Sequence, residues 1–158
     1  MIKGFKPKDH IELGKTLSML KDDNIMIIGY GFSFHNMSEF MFNGDNIKDS
    51  KNDDFQDWLI DVCVNEDSFQ TSYDKLISWE NAPNARYCHP REEHLLPLHI
   101  CYGASQSKVI KIFDDGIIRG LIFHGNSRDE INPDLYELYA IYMEPLFKYK
   151  GIGKQFPR

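Results

Sequence analysis

Three histidines and several charged residues lie close together between residues 82 and 99. The segment reads A-P-N-A-R-Y-C-H-P-R-E-E-H-L-L-P-L-H, and its histidines are His89, His94 and His99. Imidazole is a common metal ligand and titrates near neutral pH, so such a segment could bind a metal or transfer protons. The histidines are five residues apart, whereas two ligands on one helix need a spacing of three or four. The segment therefore does not form a metal site by itself, and packing of its histidines against neighbouring elements stays open as an alternative.

A further histidine, His35, lies in a glycine-containing loop. Residues 25–28 read I-M-I-I, a short apolar run typical of a strand buried on both faces, and Gly29 and Gly31 follow it directly. Ligands bind beyond the carboxyl ends of the strands in α/β sheets, and glycine permits close backbone approach there. The third glycine of a dinucleotide fingerprint is missing, so a nucleotide site is not indicated. A lone loop histidine is commonly without function, and it is this position that favours a role for His35.

The elements that position these histidines follow from local signals. Pro90 suits the first turn of a helix and Gly103 suits its end, which predicts a helix over about 91–102 with His94 inside it.

Further helices are predicted upstream. Asp9 followed by Glu12 resembles a capping box and opens an amphipathic pattern over about 9–21. Two more apolar stripes at helical spacing predict packing helices with no ligand role: Phe55, Trp58, Leu59, Val62 and Cys63, then Phe69, Tyr73, Leu76 and Ile77.

The chain after Gly103 is predicted to be rich in strands. Residues 108–113 and 117–123 read as a hairpin around a turn at 114–116, and residues 136–143 read as a third strand. We therefore expect an α/β protein, which resemblances to two families divide into 1–116 and a short β-rich tail at 117–158.

Composition excludes several classes of partner. Eighteen basic and 24 acidic residues give a net charge of −6, which disfavours nucleic acid and anionic membrane surfaces. Three cysteines without a C-x-x-C pair indicate reduced thiols. No leader opens the chain and its apolar runs are too short to span a bilayer, which predicts a cytoplasmic protein.

Two stretches together resemble the class III extradiol ring-cleavage dioxygenases, the LigB-like superfamily, and especially its 4,5-DOPA dioxygenase branch. Residues 27–37 contain G-x-G-x-x-x-H-N, and residues 79–98 contain H-P-x-E-E-H-x-L-P-L, within a match over about 8–115. The resemblance implies a LigB-like α/β sandwich around a mononuclear non-haem metal, Fe(II) or Zn(II). It also implies that both atoms of O₂ are inserted beside the hydroxyls of a catechol-type small molecule.

The resemblance assigns roles by position. His35 is expected to be the acid–base catalyst and a neighbour or ligand of the metal, His94 a metal ligand, and Glu93 a weaker ligand candidate. Three residues are expected at the substrate site: His89, Arg91 and Asn36.

Family members carry further metal-ligand histidines in an N-terminal half that has no counterpart in this chain. His10, His99 and His124 are not expected to replace them. We therefore expect the C-terminal half of the fold, with an incomplete site that a missing N-terminal half or a homo-oligomer would complete. The alternative is a catalytically silent fragment.

The tail carries a second resemblance. Residues 135–145 and the loop K-Y-K-G-I-G-K at 148–154 resemble the central strand and acetyl-CoA pyrophosphate loop of GNAT acetyltransferases, with Lys148 where Gln or Arg is usual. This implies an acetyl-CoA-binding acetyltransferase as a less favoured alternative.

Overall fold

The structure is a computed structural model of the 158-residue chain, and it describes residues 6–23, 25, 27–39, 49–66, 68–105, 109–114, 118–126 and 136–143. The helices are α1 (Pro7–Leu17), α2 (Ser50–Ile60), α3 (Phe69–Ile77), α4 (Ala85–Cys88) and α5 (Leu96–Ser105). The strands are β1 (Ile27–Tyr30), β2 (Val109–Asp114), β3 (Ile118–Asn126) and β4 (Tyr136–Met143). Short 3₁₀ segments follow α1 and α3, and a π turn extends α2.

The four strands form one mixed sheet in the order β1-β4-β3-β2. β1 runs parallel to β4, with Ile27 opposite Ala140, and β3 is antiparallel to both of its neighbours. Helix α5 packs against β1, β4 and β3, and α1 packs on α5. This arrangement confirms an α/β fold in coarse form, whereas the LigB-like sandwich and the division at residue 116 stay predictions. One sheet includes strands from both sides of that division.

Close approach of α1 and α5 depends on two glycines. A Cβ on Gly14 would overlap the carbonyl oxygen of Ile100, and a Cβ on Gly103 would overlap that of Ile11. The two helix backbones therefore touch directly, which fixes the distance between α1 and α5. Gly103 lies inside α5, so the prediction that it ends this helix is wrong.

The predicted start of the helix after Pro90 is also wrong. The chain from residue 90 to 95 forms bends and turns, and α5 begins at Leu96 with Pro97 in its first turn. A proline in the first turn loses no helical hydrogen bond, and the sequence offers two prolines for that place. Because the second one is used, His94 precedes the helix instead of lying within it.

The first helix likewise starts earlier than predicted. It begins at Pro7, and the backbone N–H of Lys6 donates to Asp9 Oδ2 at 2.9 Å, so Asp9 is the third helical residue and not the cap. The helical turns continue as a 3₁₀ segment over Ser18–Asp23, which covers the predicted span to residue 21.

Strand β1 lies two residues later than predicted and is not buried on both faces. Gly29 faces α5, where a Cβ would meet Cys101 Sγ and the Pro97 carbonyl. Ile28 and Tyr30 point the other way and are 57% and 58% exposed. Among the described residues only one face of this strand is covered, which an apolar run alone does not reveal.

The aromatic stripes occupy the helices that were predicted for them. Phe55, Leu59 and Val62 are buried in α2 and its π turn, and Leu76 is buried in α3. β2 and β3 pair as the predicted hairpin. The loop at 148–154 lies outside the described residues. In the part of the chain that is described, the helices lack the length and apolar character needed to cross a bilayer.

Candidate active site

Two chain segments meet just beyond the end of β1. We call residues 29–36 the glycine loop and residues 87–94 the histidine segment. Four hydrogen bonds join them: Phe32 N–H to the His94 carbonyl (3.0 Å), His35 N–H to the Cys88 carbonyl (2.9 Å), Asn36 Nδ2 to the Tyr87 carbonyl (2.8 Å) and His89 Nε2 to the Ser33 carbonyl (2.8 Å). The two segments are therefore held together along their length.

This connection brings His35 and His94 into contact. Their ring centroids lie 3.6 Å apart and their planes are inclined by 25°. The ring of Phe32 lies 5.4 Å from each of them, centroid to centroid. The resemblance assigns both histidines to one metal, and the structure brings them together, while their catalytic and metal-binding roles stay predictions.

The stack favours a neutral His35. Burial is the main cause that lowers the pKa of His35 below its ordinary value, and the charge of His94 lowers it further. The carboxylate of Glu93 acts in the opposite direction and raises this pKa. Neutral imidazole carries one acceptor nitrogen, so this ring can take up a proton at neutral pH.

The two rings fit a metal site only in part. Nitrogen lone pairs lie in the plane of an imidazole, so nearly parallel rings direct them side by side and not toward one point. A shared ion, with metal–nitrogen distances of about 2.1 Å, would require the rings to open from the stack. Among the described residues there is no group of three or more metal-ligating side chains. His35 and His94 can thus supply two donors of a larger set.

Glu93 and Arg91 pair with each other. Arg91 Nε donates to Glu93 Oε1 at 3.0 Å, and the arginine side chain is 80% exposed. Glu93 is partly buried and close enough to His35 to influence its pKa. The metal-ligand role of Glu93 and the substrate-binding role of Arg91 remain predictions.

His89 and Asn36 are both buried. Both ends of the Asn36 amide make hydrogen bonds, Nδ2 to the Tyr87 carbonyl and Oδ1 from the Glu39 N–H at 3.4 Å. His89 has no exposed surface, and burial lowers its pKa to about 4. Their predicted contacts with substrate remain predictions, and in this structure both side chains brace the glycine loop.

His99 is held within the helical core. It is fully buried in α5, and its neutral ring donates from Nε2 to the Leu76 carbonyl at 3.0 Å, while its Nδ1 lies 3.3 Å from the Leu95 carbonyl. The cysteines offer no reactive thiol either, since burial raises the pKa of Cys63, Cys88 and Cys101 to about 12.

Sequence reasoning missed Phe32 and the Ser33 carbonyl. Phe32 contacts both imidazoles, and the Ser33 carbonyl accepts from His89. An aromatic residue inside a G-x-G loop was the signal available for Phe32. No local pattern points to a backbone carbonyl that is bonded 56 residues along the chain.

Comparison with known proteins finds relatives that are named as dioxygenases. A Beta vulgaris protein named 4,5-DOPA dioxygenase extradiol is 33% identical over 97 residues, which covers 61% of this chain and 34% of that protein. The protein named dioxygenase tasH from Hapsidospora irregularis is 32% identical, over 65% of this chain and 34% of its own length. A Schizosaccharomyces pombe protein named 4,5-DOPA dioxygenase extradiol-like protein is 26% identical, over 69% of this chain. This chain spans about a third of the length of these relatives.

No family model matches the chain. A crystal structure of an uncharacterized protein from Escherichia coli K12 shares the fold, with a TM-score of 0.54 and 20% identity over 86% of this chain and 50% of that one. The chain is thus similar in sequence to proteins named extradiol dioxygenases and similar in fold to half of a longer protein.

Proposed function

Because the chain is a relative of proteins named 4,5-DOPA dioxygenase extradiol, we propose that it carries part of an extradiol dioxygenase site for a catechol-like aromatic. The stacked pair of His35 and His94 is the observation that carries this proposal. The pair joins the two motifs that resemble the family, although 59 residues separate them in sequence.

His35 is the proton acceptor of the proposed reaction. Catechol must lose a phenolic proton before it can bind a metal through both oxygens. A buried imidazole with a lowered pKa is available in its neutral form to take that proton and to return it later. The carboxylate of Glu93 raises the pKa of His35 by stabilising its protonated form, so the ring can also keep the proton until it is returned.

His35 and His94 are proposed to donate two nitrogens to Fe(II) or Zn(II). Of the two, a bound Fe(II) could pass electrons from the catechol, which is oxidised, to O₂, which is reduced, with no net change in the metal; zinc has no redox change and could not do so. Glu93 is the nearest carboxylate candidate, once released from Arg91. Any remaining ligands would come from residues outside those described here, or from another polypeptide such as a second copy of the chain.

Arg91 is proposed as a binding group for an acidic substituent of the substrate. Its side chain is exposed and forms an ion pair with Glu93. Ordering of the guanidinium on a carboxylate of the substrate would leave Glu93 free.

Ring opening can be measured directly. The chain is loaded with Fe(II) without oxygen, then mixed with oxygen and DOPA or catechol, and the yellow ring-opened product is followed by absorbance. With the remaining ligands supplied by a second copy of the chain, we expect product from the wild type, none from His35→Ala or His94→Ala, and retention in His99→Gln, whose ring bonds to the Leu76 carbonyl. Absence of product from the wild type, with no iron bound by elemental analysis, would contradict the proposal.

A further inference from the structure

The side chain of His89 is enclosed by the core. Its ring has no exposed surface and lies 5.4 Å from the Phe55 ring and 6.0 Å from the Trp79 ring, centroid to centroid. Both of these aromatic residues are themselves fully buried. The imidazole therefore has a fixed position relative to the helical part of the protein.

The hydrogen bond of His89 determines its tautomer. A carbonyl oxygen only accepts, so the 2.8 Å bond to the Ser33 carbonyl requires a proton on Nε2. Nδ1 then carries the lone pair, and it has no hydrogen-bond partner within the described part of the chain. The neutral ring therefore donates one hydrogen bond, to a carbonyl of the glycine loop.

That carbonyl belongs to the residue two positions before His35, while His89 is five positions before His94. The bond therefore ties together the two segments from which the stacked rings project. The His89 ring packs against the buried rings of Phe55 and Trp79. Its bond to the Ser33 carbonyl therefore connects the glycine loop to the core.

We propose that His89 is a positioning residue, and that its donation to the Ser33 carbonyl keeps His35 stacked on His94. Its value for catalysis rests on the proposed function, but the positioning itself does not. Because the ring is enclosed, this proposal replaces the substrate contact predicted for His89 with an action through the glycine loop.

Three variants test this assignment by NMR, with histidine rings labelled and no metal or substrate added. His89→Phe keeps a ring of similar volume but removes the donor, and His89→Gln supplies an amide donor of similar reach. His99→Phe is the matched control, since His99 is also fully buried and donates to a carbonyl at 3.0 Å.

We expect the wild type to give a nuclear Overhauser effect between the rings of His35 and His94. It should be lost in His89→Phe, restored in His89→Gln, and kept in His99→Phe even though that variant has a lower Tm. An undiminished effect in His89→Phe, or an equal loss in His99→Phe, would overturn the proposal.

A measurement on the wild type keeps the test decisive if His89→Phe does not fold. Long-range ¹H–¹⁵N spectra report the tautomer of each histidine, and His89 should be protonated on Nε2 alone at neutral pH. A ring protonated on Nδ1 would exclude the bond to Ser33 and with it the proposal. Neither experiment measures ring-opening activity. Both results can therefore be interpreted even if the dioxygenase assignment fails.

Discussion

At the scale of single residues, His35 stacks on His94 with ring centroids 3.6 Å apart. Burial, and after it the charge of His94, lowers the pKa of His35, so the stack favours a neutral His35. The sequence predicted this meeting from the position of His35 after a strand and from the resemblance of both motifs. The roles of the side chains around the pair depend on contacts that cross 50 or more residues, such as that of Asn36 with Tyr87, and these have no local pattern.

The electrostatics of His35 lead to a first prediction. His94→Ala removes a neighbouring charge and should raise the pKa of His35, whereas Glu93→Gln removes a carboxylate and should lower it further. The pKa of His35 in each variant is measured by NMR titration of its ring. Glu92→Gln is the control, because Glu92 pairs with Arg86 and is not among the causes that shift His35. Shifts of the same sign in the two test variants would contradict this account.

At the scale of elements, local periodicity predicted the helices that bury an apolar stripe. The stripe led by Phe55 became α2 with its π turn, because helical spacing alone determines which residues share a face. The start of α5 was missed, because Pro90 and Pro97 carry the same local signal and tertiary packing decides between them. Parallel pairing of β1 with β4 joins residues more than 100 positions apart, which no local pattern encodes.

The contact of α1 with α5 gives a second prediction. In Gly103→Ala the new Cβ overlaps the backbone of Ile11, which cannot move aside as a flexible side chain could. Overpacking should cost about 1–3 kcal/mol, partly offset by a gain of about 1 kcal/mol in helix propensity. We expect a net loss in the free energy of unfolding, measured by urea denaturation.

Thr16→Ala on the exposed side of α1 is the control for this variant. It should change the free energy of unfolding by no more than about 0.5 kcal/mol. If Gly103→Ala were as stable as the wild type, the two helices could not be in backbone contact.

At the scale of the whole molecule, two enclosed neutral histidines couple folding to pH. Burial lowers the pKa values of His89 and His99 to about 4, against an ordinary value of 6.5. Above pH 6.5 both rings are neutral in the folded and unfolded states, so no stability is lost there. As the pH falls from 6.5 toward 4, the unfolded chain binds protons that the folded chain excludes, and stability declines.

This linkage gives a third prediction. Each ring should cost about 3 kcal/mol of stability between pH 6.5 and 4, which is large against a typical total of about 5–15 kcal/mol. Urea denaturation across that range should show the decline, and His99→Gln should show a shallower one than the wild type. Identical slopes for the two proteins would mean that His99 is not held neutral in the folded state.

The exposed face of β1 also belongs to this scale. Ile28 and Tyr30 lie on the face opposite α5, close to where the glycine loop begins. Both side chains are more than half exposed, so this face of β1 is uncovered within the described part of the chain.

A titration of the ¹⁵N-labelled histidine rings with Zn(II) tests most directly whether His35 and His94 coordinate the same metal ion. Their nitrogen signals should move together along one binding curve to one ion per chain, while the signals of His99 stay in place. The nuclear Overhauser effect between the two rings should weaken, because the rings must move apart from the stack to bind the ion. Separate binding curves for the two rings, or bound zinc that leaves both signals unmoved, would contradict the account.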